Sequence, residues 1–365
     1  MGGMEMAACG RVLFLLLAAC LAGGSCTLQA AELPLKIGFI YVGPIGDVGW
    51  SYSQEVSRQQ LVKEYPYVET VTVANVSGED AEKVMRKLID QGVSAVFATS
   101  YDHGAGVETL AEEFPGIHFF YCSGESSQPN VTTYFGRMYE GMYLVGAIAA
   151  ATSRAGIIGY IGPKVIPETR RIFNSFVLGA RSINPQVVIK TVWTGKWYAP
   201  KESTALAEIL IEDGVDMLFN GDDSAAAFRV VMEKNISAVG YYTDVSRFAP
   251  MSILASSAWD WTVFYDEIIP KLRKGTWSKA DLWWGVNKGA LVLNISEKSV
   301  PAAVVRRIRK LEAGLRSGEI VIFKGPLVDS SGILKIAEGA QASDHDLLSM
   351  DWVLLKAEPY SPVQP

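Results

Sequence analysis

Histidine is scarce in this chain, and cysteine is almost used up before the fold begins. The 365 residues include only His103, His118 and His345, with no two placed four apart, so the helical His pair of a zinc site is missing. Cys9, Cys20 and Cys26 lie in or beside an apolar N-terminal stretch, and Cys122 is the only thiol in the folded part, which excludes an internal disulfide. Cys122 is expected as a small buried hydrophobe at the end of a strand over 117–121. No Gly-x-Ser-x-Gly elbow and no Gly-Lys-Ser/Thr phosphate loop occur. Gly43, Gly46 and Gly49 are spaced Gly-x-x-Gly-x-x-Gly rather than as a dinucleotide fingerprint. Excess positive charge is also lacking. A net charge of −6 argues against nucleic acid or an acidic membrane as the main partner. Catalysis would have to rest on carboxylates alone, and the expectation is a binding protein with no metal and no cofactor rather than an enzyme.

The apolar run over 12–20, preceded by Arg11, is too short to span a bilayer at ~20 residues and reads as an export signal, so residues 1–31 form a leader outside the fold. Leu17-Ala18-Ala19-Cys20 has the small-residue pattern of a bacterial lipobox, with Cys20 as the acylated residue. Cys26 follows a poorer version of the signal, and plain cleavage near Ala30 or Ala31 is the alternative. The result is an exported protein, periplasmic or at the cell surface, tethered by lipid in the first case and free in the second.

Beyond the leader, short β-branched or aromatic runs at 36–42, 70–74, 95–98 and 117–121 alternate with amphipathic segments at 52–64, 79–91 and 106–114. Such βαβ repetition predicts an α/β fold with parallel sheets covered on both faces. The unit occurs twice. Ile37-Gly38-Phe39-Ile40 returns as Ile158-Gly159-Tyr160-Ile161, 121 residues on, and the run beginning Leu88-Ile89-Asp90 returns as Leu210-Ile211-Glu212, 122 residues on. Two Rossmann-like lobes follow: 34–136 plus 256–284, and 137–255 plus 285–352, with 353–365 as a tail. Gly and Ser at Phe135-Gly136-Arg137, Ser256-Ser257 and Trp284-Gly285 suit a hinge of several segments. A basic amphipathic helix is expected over 300–316.

The repeat also aligns the loops at the strand ends, where open α/β sheets bind ligands. Loops at 43–51, 75–78, 99–103 and 123–126 correspond to 162–169, 194–200, 220–224 and 243–247. If the lobes face each other, these loops line one cleft. The candidates are Trp50, Ser51, Ser100, Tyr101, Trp197, Asp222, Asp223 and Asp244. Trp50 is either a platform for a flat ligand or a core anchor. Each aspartate is either a ligand acceptor or a helix cap, the cap being preferred for Asp222, and Asp47 reads as the cap of the helix starting near Trp50. Two indoles plus aspartates suit a purine base, whose faces stack and whose N–H groups donate.

The segments 36–50, 134–141 (Tyr-Phe-Gly-Arg-Met-Tyr-Glu-Gly), 178–185 and 243–250 (Thr-Asp-Val-Ser-Arg-Phe-Ala-Pro) resemble the basic membrane protein family of ABC-transporter substrate-binding lipoproteins, from about residue 35 to 352. Trp283-Trp284-Gly285 and Leu348-Ser349-Met350-Asp351-Trp352 bring the resemblance closest to its purine-binding branch. The resemblance implies a type I periplasmic-binding-protein fold, a purine ligand, permease and ATPase partners, and a monomer. Carried over by position, Trp50, Trp197 and Asp223 would touch the ligand first, with Asp244 second. Related nucleoside receptors typically carry a lysine after the strand at 254–261, and this chain has none there. That departure points to a free base, adenine, guanine or hypoxanthine. A nucleoside receptor, a sensor for a signalling partner and, last, a nucleoside-processing enzyme are the alternatives.

Overall fold

The computed structural model describes residues 34–46, 48–356 and 358–359. Residues 1–34 separate from a unit that begins at Leu35, and everything below concerns that unit. The leader, Cys20, Cys26 and Asp47 lie outside the described residues.

The first lobe is built on β1 (Leu35–Ile40), β2 (Val68–Val73), β3 (Ala95–Ala98), β4 (His118–Cys122) and β5 (Val131–Gly136). Helices α1 (Trp50–Glu64), α2 (Gly78–Asp90) and α3 (Gly104–Glu113) connect them. Its six-stranded sheet runs β11-β5-β4-β3-β1-β2 and is parallel throughout; β11 (Asp281–Trp284) joins from later in the chain. The second lobe carries β6 (Ile157–Gly162), β7 (Val188–Trp193), β8 (Met217–Asn220), β9 (Ser237–Tyr242) and β10 (Ile253–Trp259), with β12 (Leu291–Ile295) antiparallel on the edge. Its helices are α4 (Met138–Thr152), α5 (Pro167–Ile183), α6 (Pro200–Glu212) and α7 (Ala226–Glu233). Both sheets are the doubly wound α/β arrangement of periplasmic binding proteins.

The duplication has a packing reason. β1 and β6 occupy equivalent central positions, flanked by β3 and β2 in one sheet and by β8 and β7 in the other. A Cβ on Gly38 would come 2.9 Å from Leu88 of α2, and one on Gly159 would come 3.2 Å from Leu210 of α6. The repeated Leu thus lies against the repeated Gly in both lobes, where the bare strand leaves room for it; in the second lobe Leu218, at 2.9 Å, and Val215, at 3.1 Å, crowd the same spot.

Three crossings join the lobes. Arg137 connects β5 to α4, Asp260 and Trp261 connect β10 to α8 (Thr262–Arg273), and residues 285–290 connect β11 to β12. The second crossing falls beyond the expected 255/256 boundary. β10 pairs with β9 up to Ala258 and with β12 up to Trp259, because a strand fully buried on both faces keeps its ladder bonds to the end. The tail is shorter than expected, since β15 (Glu358–Pro359) pairs with β7. The basic helix is present as α9 (Ala302–Ser317), with Ile308 buried and Val304 and Leu311 packed beside it. A hairpin, β13 (Leu327–Val328) with β14 (Leu334–Ile336), and α10 (Asp344–Leu348) complete the described chain. Arg137 ties α10 to the first crossing by two hydrogen bonds to Asp344 and stacks 4.0 Å over Trp283.

Candidate functional site

The strand ends of the two lobes meet around one small, narrow cavity. The first lobe contributes Val42, Trp50, Ser100, Tyr101 and Ser123. The second contributes Glu168, Trp197, Asp223 and Tyr242.

Trp50 fits both sequence readings. It opens α1, is 9% exposed, and donates its indole N–H to the Thr99 carbonyl at 2.6 Å. Its ring packs edge-on against Trp259 at 5.7 Å and Trp261 at 5.3 Å, beside Phe135. The indole is thus anchored in the core at the hinge while lining the cavity. Trp197 faces the cavity from the second lobe, half-buried, with the Lys164 ammonium 5.4 Å from its ring centroid.

Asp223 does something that neither sequence alternative described. It caps a helix, but the one across the cleft: its Oδ1 accepts the Trp50 backbone N–H at 2.9 Å, at the start of α1. The first N–H groups of a helix lack intrahelical partners, and the positive end of the helix dipole favours a carboxylate there. Gly49 makes the approach possible. Its φ is +92°, and a Cβ there would lie 2.9 Å from Asp223 Oδ1. The Asp223 backbone N–H in turn donates to the Trp197 carbonyl at 2.9 Å, so Trp50, Asp223 and Trp197 form one connected unit across the lobes. Asp223 keeps some accessible area and lines the cavity. Burial is still the largest influence on its carboxyl, pushed up to about 8, with Asp222 and Glu168 adding repulsion against the Trp50 N–H. Burial in this closed arrangement favours the protonated form of Asp223.

Glu168, in the first turn of α5, is the second acid of the cavity and accepts the Ser123 hydroxyl of the opposite lobe at 2.8 Å. Burial raises its carboxyl too, countered by the nearby Arg171 guanidinium. Ser123 and Tyr242 are both non-glycine residues at positive φ, +69° and +71°, at the ends of β4 and β9, the corresponding strands of the two lobes. Backbone strain of this kind persists where surrounding structure enforces it and clusters at ligand sites. A further ion pair, Lys164 to Asp102 at 3.3 Å, spans the cleft mouth.

Other candidates lie elsewhere. Ser51 is buried behind the loop, where its hydroxyl accepts the Gly43 N–H at 3.2 Å, and does not line the cavity. Asp244 is exposed, accepts the Ser246 N–H in a tight turn, and borders a separate groove with Tyr52 and Thr262. It falls outside because Tyr242, at the end of β9, occupies the inward position two residues earlier. Asp222 is a cap, as preferred, but of α6: it accepts the Ala199 N–H and the Ser203 hydroxyl, both at 2.8 Å. Ser100 and Tyr101 do line the cavity. Val42, Ser123, Glu168 and Tyr242 were not singled out from sequence. Ser123 and Glu168 fall inside the aligned loops, so the repeat carried a signal for them. Cys122 is fully buried as a free thiol. Among the described residues no cluster of His, Cys, Asp and Glu could hold a metal, and no helix is long and apolar enough to cross a membrane.

The chain is similar to a purine-binding protein of Brucella abortus, 36% identical over 324 residues, covering 88% of this chain and 92% of that protein. It is also similar to a Haloferax volcanii protein whose name assigns it glucose as the ligand of an ABC transporter, 30% identical with 80% and 74% coverage. Among solved structures, a solute-binding protein of an ABC transporter from Aeropyrum pernix superposes with a TM-score of 0.69 at 18% identity, covering 79% of this chain and 92% of that one, which speaks to the fold. The model of the ABC transporter substrate-binding protein family, PnrA-like, matches residues 35–324. Two lobes closed on a small shared cavity, matched by that model over most of its length, place this chain in the PnrA-like family of ABC transporter substrate-binding proteins, whose members bind solutes rather than transform them.

Proposed function

We propose that the protein is the extracytoplasmic receptor of an ABC importer and that its two lobes close on a free purine base, delivering it to a permease driven by an ATPase. The observation that carries this reading is the narrow interlobe cavity with one indole from each lobe and two buried acids. A flat heteroaromatic ring suits a narrow slot, and stacking on an indole contributes about 1–3 kcal/mol per base. Asp223, whose protonated form burial favours, offers an O–H to a ring nitrogen when protonated; ionised, it accepts from ring or exocyclic N–H groups. A ligand that leaves these buried groups unpaired is rejected at a cost of about 1–3 kcal/mol each. The purine-binding relative supports the same reading. Acylation at Cys20 would tether the receptor to the membrane, and nothing in the site requires a second copy of the chain.

Calorimetric titration with adenine, hypoxanthine and guanine, against guanosine and glucose, tests the proposal. The expected result is one-site binding of at least one base, tighter than either comparison ligand. Binding of glucose with no heat from any base would overturn it.

A further inference from the structure

The central cavity shares a wall with a second, larger and more open space. Tyr101, Ser123 and Glu168 border both. The Ser123 hydroxyl donates to Glu168 Oε2 at 2.8 Å, so the wall is a hydrogen bond made between lobes. Both sides of it are fixed. The Tyr121 hydroxyl donates to the Tyr101 carbonyl at 2.7 Å, and the Tyr121 side chain fills the space where a Cβ on Gly104 or Gly124 would stand, its hydroxyl 2.3 Å from the first and its ring 2.0 Å from the second. Gly124 thus presses the chain after β4 onto that ring, and Ser123 is held at its positive φ with the hydroxyl turned to Glu168. On the other lobe Glu168 sits one turn before Arg171, which is itself buried and donates to the Leu347 carbonyl at 3.3 Å. The outer space is lined by polar and apolar groups together, Glu108, Glu125 and Arg171 among the polar ones.

Resting on the purine reading above, we propose that Ser123 and Glu168 form a partition that sets specificity: closed, it confines the ligand to the size of a base, and opened, it admits a nucleoside whose ribose enters the outer space beside Glu108. Ser123 and Glu168 are specificity-determining residues on this assignment. Exclusion on this assignment follows from the wall that Ser123 and Glu168 make between the two spaces.

The test is the affinity ratio of a base to its nucleoside, adenine to adenosine and hypoxanthine to inosine, for the wild type and for Ser123→Ala, Glu168→Ala and Glu168→Gln. Ser123→Ala and Glu168→Ala are expected to lower the ratio at least tenfold by tightening nucleoside binding. Glu168→Gln, which still accepts the Ser123 hydroxyl, should keep it. Glu168→Ala leaves Arg171 without its carboxylate; if that variant does not fold, Ser123→Ala, which removes one hydroxyl, decides the matter. Base binding with an unchanged ratio in Ser123→Ala overturns the partition alone. No binding of base or nucleoside by the wild type overturns the purine reading and the partition with it.

Discussion

Replacing Asp223 separates closing the lobes from holding the ligand. Its Oδ1 caps α1 only while the lobes are together, because the acid and the helix belong to different lobes. Losing a helix cap costs about 1 kcal/mol, about fivefold in an equilibrium constant. In Asp223→Ala that cost falls on the closed form, so the ligand-free closed fraction should drop about fivefold relative to the open one. Ligand affinity should drop by that factor and by a further ~2- to 13-fold for a lost neutral hydrogen bond of about 0.5–1.5 kcal/mol. Asp223→Asn keeps the acceptor for the Trp50 N–H and should close nearly as well as the wild type. It cannot titrate, however, and here the two diverge. In the closed form the Asp223 carboxyl is raised from 3.8 to about 8, facing Asp222, Glu168 and Tyr242. In an open form water reaches it and the ordinary value returns. A raised value in the closed form means that closing takes up a proton: the stabilisation is complete below about pH 4 and is lost as pH rises through about 8, by at most about tenfold per unit. Labels on the two lobes, read by energy transfer without ligand between pH 6 and 9, should show the closed fraction falling in the wild type and flat in Asp223→Asn. Gly49→Ala is the control: its Cβ would meet Asp223 at 2.9 Å and should reduce closure at every pH. A wild-type profile that is flat over this range, or an Asn variant that follows the wild type, refutes the reasoning.

Trp197→Ala should weaken base binding roughly 5- to 150-fold, the range of one stacking contact, with the melting temperature of the ligand-free protein nearly unchanged, since Trp197 is half-buried; calorimetry and thermal melting check both. Trp50→Ala should instead lower both, because burial among Phe135, Trp259 and Trp261 makes its loss a core truncation of about 3–5 kcal/mol; an unchanged melting temperature would show that the indole serves the ligand alone. If Cys20 is acylated, Cys20→Ser should move the protein from the membrane fraction to the soluble one, and an unchanged distribution would favour cleavage near Ala31.

Local physics made much of this protein legible in one dimension. Hydrophobic period and strand composition gave the βαβ alternation, and a Gly and a Leu repeated at nearly one offset gave two lobes, because each lobe sets that Leu against that Gly. Loop alignment brought Trp50, Ser100, Tyr101, Trp197 and Asp223 to the cavity, since parallel strands put all their carboxyl ends on one side. Tertiary structure decided what those side chains do. Asp223 reads as a local cap or a ligand acceptor, and its actual donor, the Trp50 N–H, lies 173 residues away on the other lobe. Ser51 and Asp244 sit in the right loops and point elsewhere, because a loop's position fixes where its backbone ends and not which of its residues turns inward. Glu168 and Ser123 gain their meaning only from each other. Sequence period is a property of one strand or helix at a time, whereas a site between lobes is made of pairs, and pairing across a cleft is set by packing alone.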